Sequence, residues 1–340
     1  MEKRYFNADH KGNEYVEPNG DLVESAGNGW LFNLSRELDI AGRDLGWLYG
    51  TWGTWNQWYK TYTVPKKTEG FRVICAPQGL LLAVQRKIND VILKDVVLSS
   101  CCHGFVKDRS IITNAAAHVQ KEVLLSLDIK DFFATITAKR VFGVFKSLGR
   151  STEEARFLTR LCTYNGCLPQ GAPSSPAIAN RACNHMDKRL AKLAEYHRAA
   201  YSRYADDLTF SGDKPVLRLL PLIKAIVAEE GFAIAEHKTR VAKQNQRQVV
   251  TGLTVNSEVK VRRPEKRRIR AILHHAACRR STTSHQVPIG VNEIRGYYSF
   301  LKNVEPEYAA KLYLDLHEKY LMTDPAPETN PFWLSQHSSR

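Results

Sequence analysis

The sequence lacks any run of eighteen or more apolar residues, and its polar first thirty residues carry six acidic against three basic side chains. Neither a membrane-spanning helix nor a secretory signal peptide is therefore expected. The seven cysteines contain no Cys-x-x-Cys pair, which argues against a zinc site and a disulfide framework. No internal repeat or low-complexity segment is visible. We expect a cytoplasmic protein with free thiols and no membrane contact.

Positive charge is abundant and unevenly placed. The formal net charge of the 340 residues is +14, and nine Lys or Arg stand against one acid between Lys260 and Arg280. A local basic field of this kind favours a polyanionic partner, and nucleic acid fits it better than an anionic membrane. A solvated charged face is the alternative. The length of the whole chain allows roughly two packed domains.

Two adjacent carboxylates, Asp206 and Asp207, lie between two short runs of β-branched and aromatic residues. This pattern predicts a tight β-hairpin with the acids at its tip. Adjacent negative charges repel each other, and a divalent cation is the usual remedy. Asp128 supplies a third carboxylate, because it ends an apolar run typical of a buried strand. Three such acids predict a two-metal site for nucleotide or phosphate transfer, with a solvated turn as the alternative.

Ordered motifs around these acids resemble the successive palm motifs of reverse transcriptases. They are Asp128-Ile129-Lys130-Asp131-Phe132-Phe133, Leu168-Pro169-Gln170-Gly171-Ala172-Pro173-Ser174-Ser175-Pro176, Tyr204-Ala205-Asp206-Asp207, Gly231-Phe232 with Lys238, and Val250-Thr251-Gly252-Leu253. Two upstream stretches, Tyr62–Lys67 and Phe71–Ile74, resemble the fingers of bacterial reverse transcriptases. Two stretches resemble signatures of retron reverse transcriptases: Asn114-Ala115-Ala116-Ala117-His118 and Val250-Thr251-Gly252. The chain is therefore identified as a member of the retron branch.

The resemblance implies an α+β right-hand polymerase fold, with fingers, a palm of antiparallel sheet with packed helices, and a helical thumb. The implied boundaries are an N-terminal extension at 1–30, fingers at 31–122, a palm at 123–257 with a finger insertion at about 138–167, and a basic thumb with a C-terminal tail at 258–340. Local patterning predicts helices over 31–60, two strands over 61–76, a long helix over 80–97, a helix from the Pro-Gln-Gly loop to about Glu195, a strand over 232–234, a strand pair over 249–261 and basic helices from Pro264.

The resemblance also implies roles for single residues. Asp128, Asp206 and Asp207 would be the catalytic metal carboxylates, joined by the carbonyl of Ile129, and would hold two Mg²⁺ ions, with Mn²⁺ as an alternative. Nucleotide contacts would come from Arg72 on the triphosphate, Phe133 as a steric gate against a ribose 2′-OH, Gln170, Gly171, and Lys238 as a general acid. RNA recognition would involve Asn114, His118, Val250, Thr251, Gly252, Arg262, Arg263, Lys266, Arg267, Arg268 and Arg270.

Several of these residues have a plainer alternative role. Phe133 could serve core packing, and Lys238 could be a solvated lysine. Asn114 and His118, four residues apart and expected on one helical face, could brace the fingers. Thr251 and Gly252 could simply make a strand turn.

The implied function is an RNA-directed DNA polymerase that copies a cognate structured noncoding RNA into branched multicopy single-stranded DNA, starting from a guanosine 2′-OH. The expected partners are that RNA and its cDNA product, deoxynucleoside triphosphates, an effector protein in anti-phage defence, and a host ribonuclease H, since no ribonuclease H domain is evident. A group II intron-like reverse transcriptase is the alternative within the class. A catalytically inactive RNA-binding scaffold is the alternative outside it, and adjacent unused acids would weaken its binding to a polyanion.

Overall fold

The computed structural model describes residues 29–50, 55–66, 70–94, 96–278 and 291–320. Nearly all of the expected N-terminal extension, Lys67 and the last twenty residues lie outside this part. The described chain begins with helices α1 (Gly29–Leu38) and α2 (Gly42–Gly50), followed by an antiparallel hairpin of β1 (Tyr59–Pro65) and β2 (Phe71–Pro77). The predicted helices and strand pair are confirmed here, with the strand boundaries shifted by one or two residues.

The helix predicted over 80–97 is wrong in its length. Helix α3 (Gly79–Lys87) continues as one wider π-helical turn, Ile88–Ile92, and ends at Leu93. The following segment serves another contact, because the Ser99 N–H donates to the Asn184 Oδ1 at 2.9 Å. Helix α4 (Ile111–Ala116) comes next and begins at Ser110, which forms a capping box with Thr113.

A four-stranded antiparallel sheet, here called the central sheet, has the order β4-β5-β3-β6. Its strands are β3 (Val123–Asp128), β4 (Ala200–Tyr204), β5 (Asp207–Gly212) and β6 (Arg240–Lys243). One face carries Leu125 and Leu127 into the larger hydrophobic core. That core also contains residues of α5 (Ala138–Ser147), α6 (Thr152–Cys162), α7 (Ser175–Tyr196) and α8 (Leu220–Glu229). The predicted end of α7 near Glu195 is confirmed.

The strand predicted over 232–234 is wrong. Among these residues only Ile234 forms a bridge, with Ile129, and β6 is the strand that extends the central sheet. Phe232 is buried instead, with its ring stacked on Phe132 at 6.2 Å and the Arg140 guanidinium 4.0 Å from its centre. The packing of Phe232 thus anchors a non-strand segment. The strand prediction was based on apolar composition alone, which does not distinguish these two cases.

The other face of the central sheet meets a second, smaller core. Leu124 of β3 joins Ala115 of α4 there, together with Val250 and Leu253. The rest of that core comes from a sheet of three short strands and from three helices, here called the C-terminal module: β7 (Val249–Val250), β8 (Leu253–Thr254), β9 (Lys260–Val261), α9 (Arg263–Cys278), α10 (Val291–Val304) and α11 (Pro306–Tyr320). The strand pair predicted over 249–261 is thus a three-stranded sheet, and the helices predicted from Pro264 are confirmed.

The α+β class is as expected from the sequence, whereas the domain boundaries stay a prediction. Six cysteines whose side chains the structure describes are free thiols: Cys75, Cys101, Cys102, Cys162, Cys167 and Cys183. Within the described ranges, no helix is both long and apolar enough to cross a membrane.

Candidate active site

The three acids meet at one end of the central sheet. Asp207 lies opposite Asp128 in the β3–β5 register, and Tyr204 pairs with Asp207 across the β4–β5 hairpin. Ala205, with a left-handed φ of 56°, therefore forms the turn together with Asp206. The Ile129 N–H donates to the Asp206 carbonyl at 2.9 Å and ties this turn to the end of β3. The predicted hairpin with acids at its tip is confirmed.

Their electrostatics show that the acids are crowded. Burial, and then the charge of Asp128, raise the pKa of Asp206, while the positive charges of Lys238 and Arg72 oppose this. Desolvation, and then the charges of Asp206 and Asp128, raise the pKa of Asp207 to about 6, although its side chain still reaches solvent. The Lys238 Nζ contacts both carboxylate oxygens of Asp128, at 2.8 and 2.9 Å. The crowded carboxylates therefore favour a positive charge beside them, and the Lys238 ammonium group supplies one at Asp128.

The donor chemistry fits a divalent metal ion. Within the described part of the chain, no three Asp, Glu, His or Cys side chains are already arranged to hold a metal ion, and the Asp128 carboxylate is engaged by Lys238. Carboxylate oxygens are nevertheless the ligands that Mg²⁺ prefers. The same repulsion that raises the pKa of Asp206 and Asp207 is relieved by a cation. Asp128, Asp206 and Asp207 are thus the side chains that fit such an ion.

A cavity of about 470 Å³, here called the Gln170 cavity, is lined by Gln170, Gly171 and Phe133 and also by Ile74. The Gln170 carbonyl accepts from the Cys75 N–H at 2.7 Å, which docks the Pro-Gln-Gly loop on β2. Gly171 has a φ of 118°, and a Cβ there would lie 2.7 Å from the Ile74 Cγ2. Only glycine allows so close an approach. The structure thus brings three of the predicted nucleotide contacts together.

The other two predicted nucleotide contacts lie near the acids. Arg72 lies on exposed β2, two residues before Ile74, and its charge reaches Asp206. Lys238 lines a different cavity of about 490 Å³, here called the Thr251 cavity, together with Asp128 and Asp207.

The Thr251 cavity also contains two cations that sequence reasoning missed. Arg240 and Arg247 line it, as do Thr251 and Gly252 of the β7–β8 turn. Arg240 begins the edge strand β6 and Arg247 precedes β7. The basic character of residues 238–247 was visible, but their position beside the acids depends on strand pairing.

Comparison with known proteins gives the family. Residues 64–257 match the reverse transcriptase (RNA-dependent DNA polymerase) family. The chain belongs to this family. It is 38% identical over 274 residues to the Retron Mx65 reverse transcriptase of Myxococcus xanthus, covering 75% of this chain and 63% of that protein, which is less than two thirds of its length.

A second relative agrees with this membership. The chain is 36% identical over 259 residues to the Retron Ec86 reverse transcriptase of Escherichia coli, covering 75% of this chain and 79% of that protein. These relatives place it in the retron branch. Among solved structures, the telomerase of Candida albicans in complex with a telomeric RNA fragment is similar at a TM-score of 0.47 and 10% identity, covering 79% of this chain and 57% of that one. Reverse transcriptases use divalent metal ions.

Three of the predicted RNA contacts are buried. His118 is 0% and Asn114 1% exposed. The His118 Nδ1 lies 2.7 Å from the Ser211 hydroxyl, and its Nε2 lies 2.7 Å from the Ser202 hydroxyl. Val250 belongs to the smaller core. The side chains of Asn114 and His118 are too deeply buried for direct contact with RNA, whereas Val250 also lines the Thr251 cavity. His118 joins the segment after α4 to β4 and β5 of the central sheet. Because it lies beyond the end of α4, the predicted shared helical face is wrong.

The basic residues around α9 fall into two groups. Lys266 contacts Glu305 at 2.5 Å, and Arg268 contacts Glu265 at 2.8 Å and the Tyr297 hydroxyl at 3.1 Å. The second group consists of Arg262, Arg263, Arg267 and Arg270, which are all exposed. Because the first group already has acidic partners within the protein, the second group is the better phosphate-binding surface.

Proposed function

We propose that this chain is an RNA-directed DNA polymerase that joins nucleotides by two-metal transfer at Asp128, Asp206 and Asp207. The observation that carries the proposal is the meeting of these acids at one sheet end, with the Gln170 and Thr251 cavities nearby. Polymerisation needs two substrates at one point, a nucleotide and a strand bearing a hydroxyl group. Two cavities of different lining supply a place for each.

The Gln170 cavity suits the incoming deoxynucleoside triphosphate. The ring of Phe133 would clash with a ribose 2′-OH, and Gln170 offers both a donor and an acceptor. Arg72 presents a planar fork of donors that matches phosphate oxygens. The Lys238 Nζ donates to the Asp128 Oδ2 at 2.8 Å, a place from which its ammonium group could serve as a general acid for the leaving pyrophosphate. When bound, divalent ions, Mg²⁺ or Mn²⁺, supply activation of the hydroxyl and neutralisation of the pyrophosphate.

The Thr251 cavity suits the strand that bears the attacking hydroxyl. Arg240 and Arg247 add positive charge beside Asp128 and Asp207, and phosphates are bound chiefly through such charge. In the retron setting this strand is the cognate noncoding RNA, and the hydroxyl is the 2′-OH of a guanosine. The product is branched single-stranded DNA, whose template a host ribonuclease H removes. An effector protein in anti-phage defence is the expected further partner, and the named retron relatives support this setting.

Replacing Asp206 and Asp207 with Asn tests the catalytic assignment. Mg²⁺-dependent DNA synthesis should be abolished while RNA binding is retained, because the amides keep the shape but cannot neutralise a cation. Asp213→Asn is the matched control, since Asp213 is an exposed acid just past the opposite end of β5. Synthesis by the double variant at the wild-type rate would contradict the assignment. If the wild-type protein binds RNA but makes no DNA with Mg²⁺ or Mn²⁺, the inactive-scaffold alternative is correct.

The nucleic acid that co-purifies with the protein tests the retron setting. DNA joined to RNA through a 2′–5′ branch should be recovered, sensitive both to ribonuclease and to a debranching enzyme. Linear cDNA without a branch would favour the group II intron-like alternative.

A further inference from the structure

A fully buried ion pair lies next to the β4–β5 hairpin that carries Asp206 and Asp207. Arg203 of β4 and Asp187 of α7 are both 0% exposed. The Arg203 Nη2 donates to the Asp187 Oδ2 at 2.7 Å, and its Nε donates to the Asp187 Oδ1 at 2.8 Å. Arg203 stands three residues before Asp206, on the face of the central sheet opposite the Thr251 cavity. The pair therefore lies next to the acids without contacting them.

The same guanidinium also holds the turn of the hairpin. The Arg203 Nη1 donates to the Ala205 carbonyl at 3.1 Å and to the Asn180 Oδ1 at 3.0 Å. Asn180 in turn donates to the Gly104 carbonyl at 2.8 Å. Gly104 abuts the turn from outside, because a Cβ there would lie 2.5 Å from the Ala205 nitrogen. The turn is thus hydrogen-bonded to Arg203 on one side and in close contact with Gly104 on the other.

This network of charged and polar groups costs more free energy than is needed simply to pack α7 against β4. Two buried charges cost more than well-packed apolar residues of the same volume would. Ala205 adopts a left-handed conformation that a non-glycine residue occupies only when its surroundings impose it. A guanidinium is the one side chain whose rigid fork can bind a carboxylate and a turn carbonyl at the same time. Both energetic costs arise next to the two adjacent acids, the first at the Arg203–Asp187 pair and the second at Ala205.

We infer that Arg203, held by Asp187, is a positioning residue that fixes the Ala205 turn so that Asp206 and Asp207 stay opposite Asp128. The inference rests on the proposed function of these acids. Arg203 itself contacts none of the reacting atoms. A purely structural role, joining α7 to β4, would make any loss of activity follow the loss of stability. A positioning role separates the two.

Arg203→Lys in the full chain tests the inference. Lysine keeps the charge for Asp187, but a single ammonium cannot also reach the Ala205 carbonyl in the same geometry. The kcat should fall on the order of 10- to 100-fold, since small displacements of reacting groups have effects of this size. The Mg²⁺ concentration for half-maximal activity should rise several-fold, while the KM for deoxynucleotides and the affinity for RNA stay within about twofold.

Arg150→Lys is the matched control, because Arg150 makes a two-pronged contact with Glu37 away from the acids. It should lower the Tm without changing the Mg²⁺ requirement. Asn180→Ala, which leaves the ion pair intact, should shift kcat and the Mg²⁺ requirement in the same direction by less, and it carries the test if Arg203→Lys does not fold. Wild-type kcat and Mg²⁺ requirement in the folded variants would overturn the inference. Because the Asp206 and Asp207 test is independent, that outcome would leave the polymerase assignment standing.

Discussion

At the scale of single residues, Phe133 is the proposed gate against a ribose in the Gln170 cavity. Its ring lines that cavity and packs edge-on against Phe132 at 5.3 Å. Phe133→Ala removes the ring where a ribose 2′-OH would lie, so incorporation of ribonucleotides relative to deoxynucleotides should rise on the order of tenfold or more. Primer extension with each nucleotide set measures the ratio. Phe132→Leu, a change in the adjacent buried ring, should leave it unaltered. Unchanged selectivity in Phe133→Ala would leave this residue with core packing alone.

His118 makes stability depend on pH. Burial lowers the pKa of His118 from 6.5 to about 3, so the folded protein keeps the imidazole neutral. Below pH 6.5 the unfolded chain takes up a proton that the folded chain does not, so stability falls as the pH falls, down to the folded pKa. The loss between about pH 7 and pH 5 should reach about 2 kcal/mol.

Denaturant unfolding at the two pH values measures this contribution. His118→Gln, whose amide can still bond to the Ser202 and Ser211 hydroxyls, should show an acid-dependent loss smaller by that amount. His237→Gln is the control, because His237 is an exposed histidine. An equal pH dependence in the wild type and His118→Gln would mean that the buried imidazole is not the source.

At the scale of elements, the β7–β8 turn links the Thr251 cavity to the fold around α4. The Thr251 hydroxyl donates to the Ile111 carbonyl at 3.1 Å, and the φ of Thr251 is 45°. Thr251→Val removes this bond, so the rate on the RNA that co-purifies with the protein should fall several-fold more than the rate on oligo(dT)-primed poly(rA). Thr251→Ser keeps the hydroxyl and should retain the ratio. Equal losses on both templates would assign the turn to catalysis rather than RNA recognition.

Elements built from local patterns were predictable, whereas contacts between distant residues were not. The run ending at Asp128 and the Asp206 hairpin were readable because burial and turn formation leave local marks. Nothing local marks the Arg203–Asp187 pair, whose members are sixteen residues apart on different elements. The burial of His118 likewise depends on hydroxyl groups that lie 84 and 93 residues away. Polar residues were therefore read as ligand contacts where they are internal braces.

At the scale of the whole molecule, the net charge of +14 should attract RNA most strongly where basic side chains are exposed. The exposed arginines beside and on α9 include Arg267 and Arg270. If both contact phosphates, changing them to Gln should reduce the slope of log affinity against log salt by about 1.4 to 1.8, since each phosphate contact contributes about 0.7 to 0.9.

RNA binding measured over a series of salt concentrations gives this slope. Lys188→Gln with Lys192→Gln is the matched control, because it removes the same net charge from exposed positions of α7. That helix packs on the face of the central sheet opposite the Thr251 cavity. A contact surface on α9 requires the control slope to stay near that of the wild type. If both pairs reduce the slope equally, the long-range field of the protein attracts the RNA, and α9 is not its contact surface.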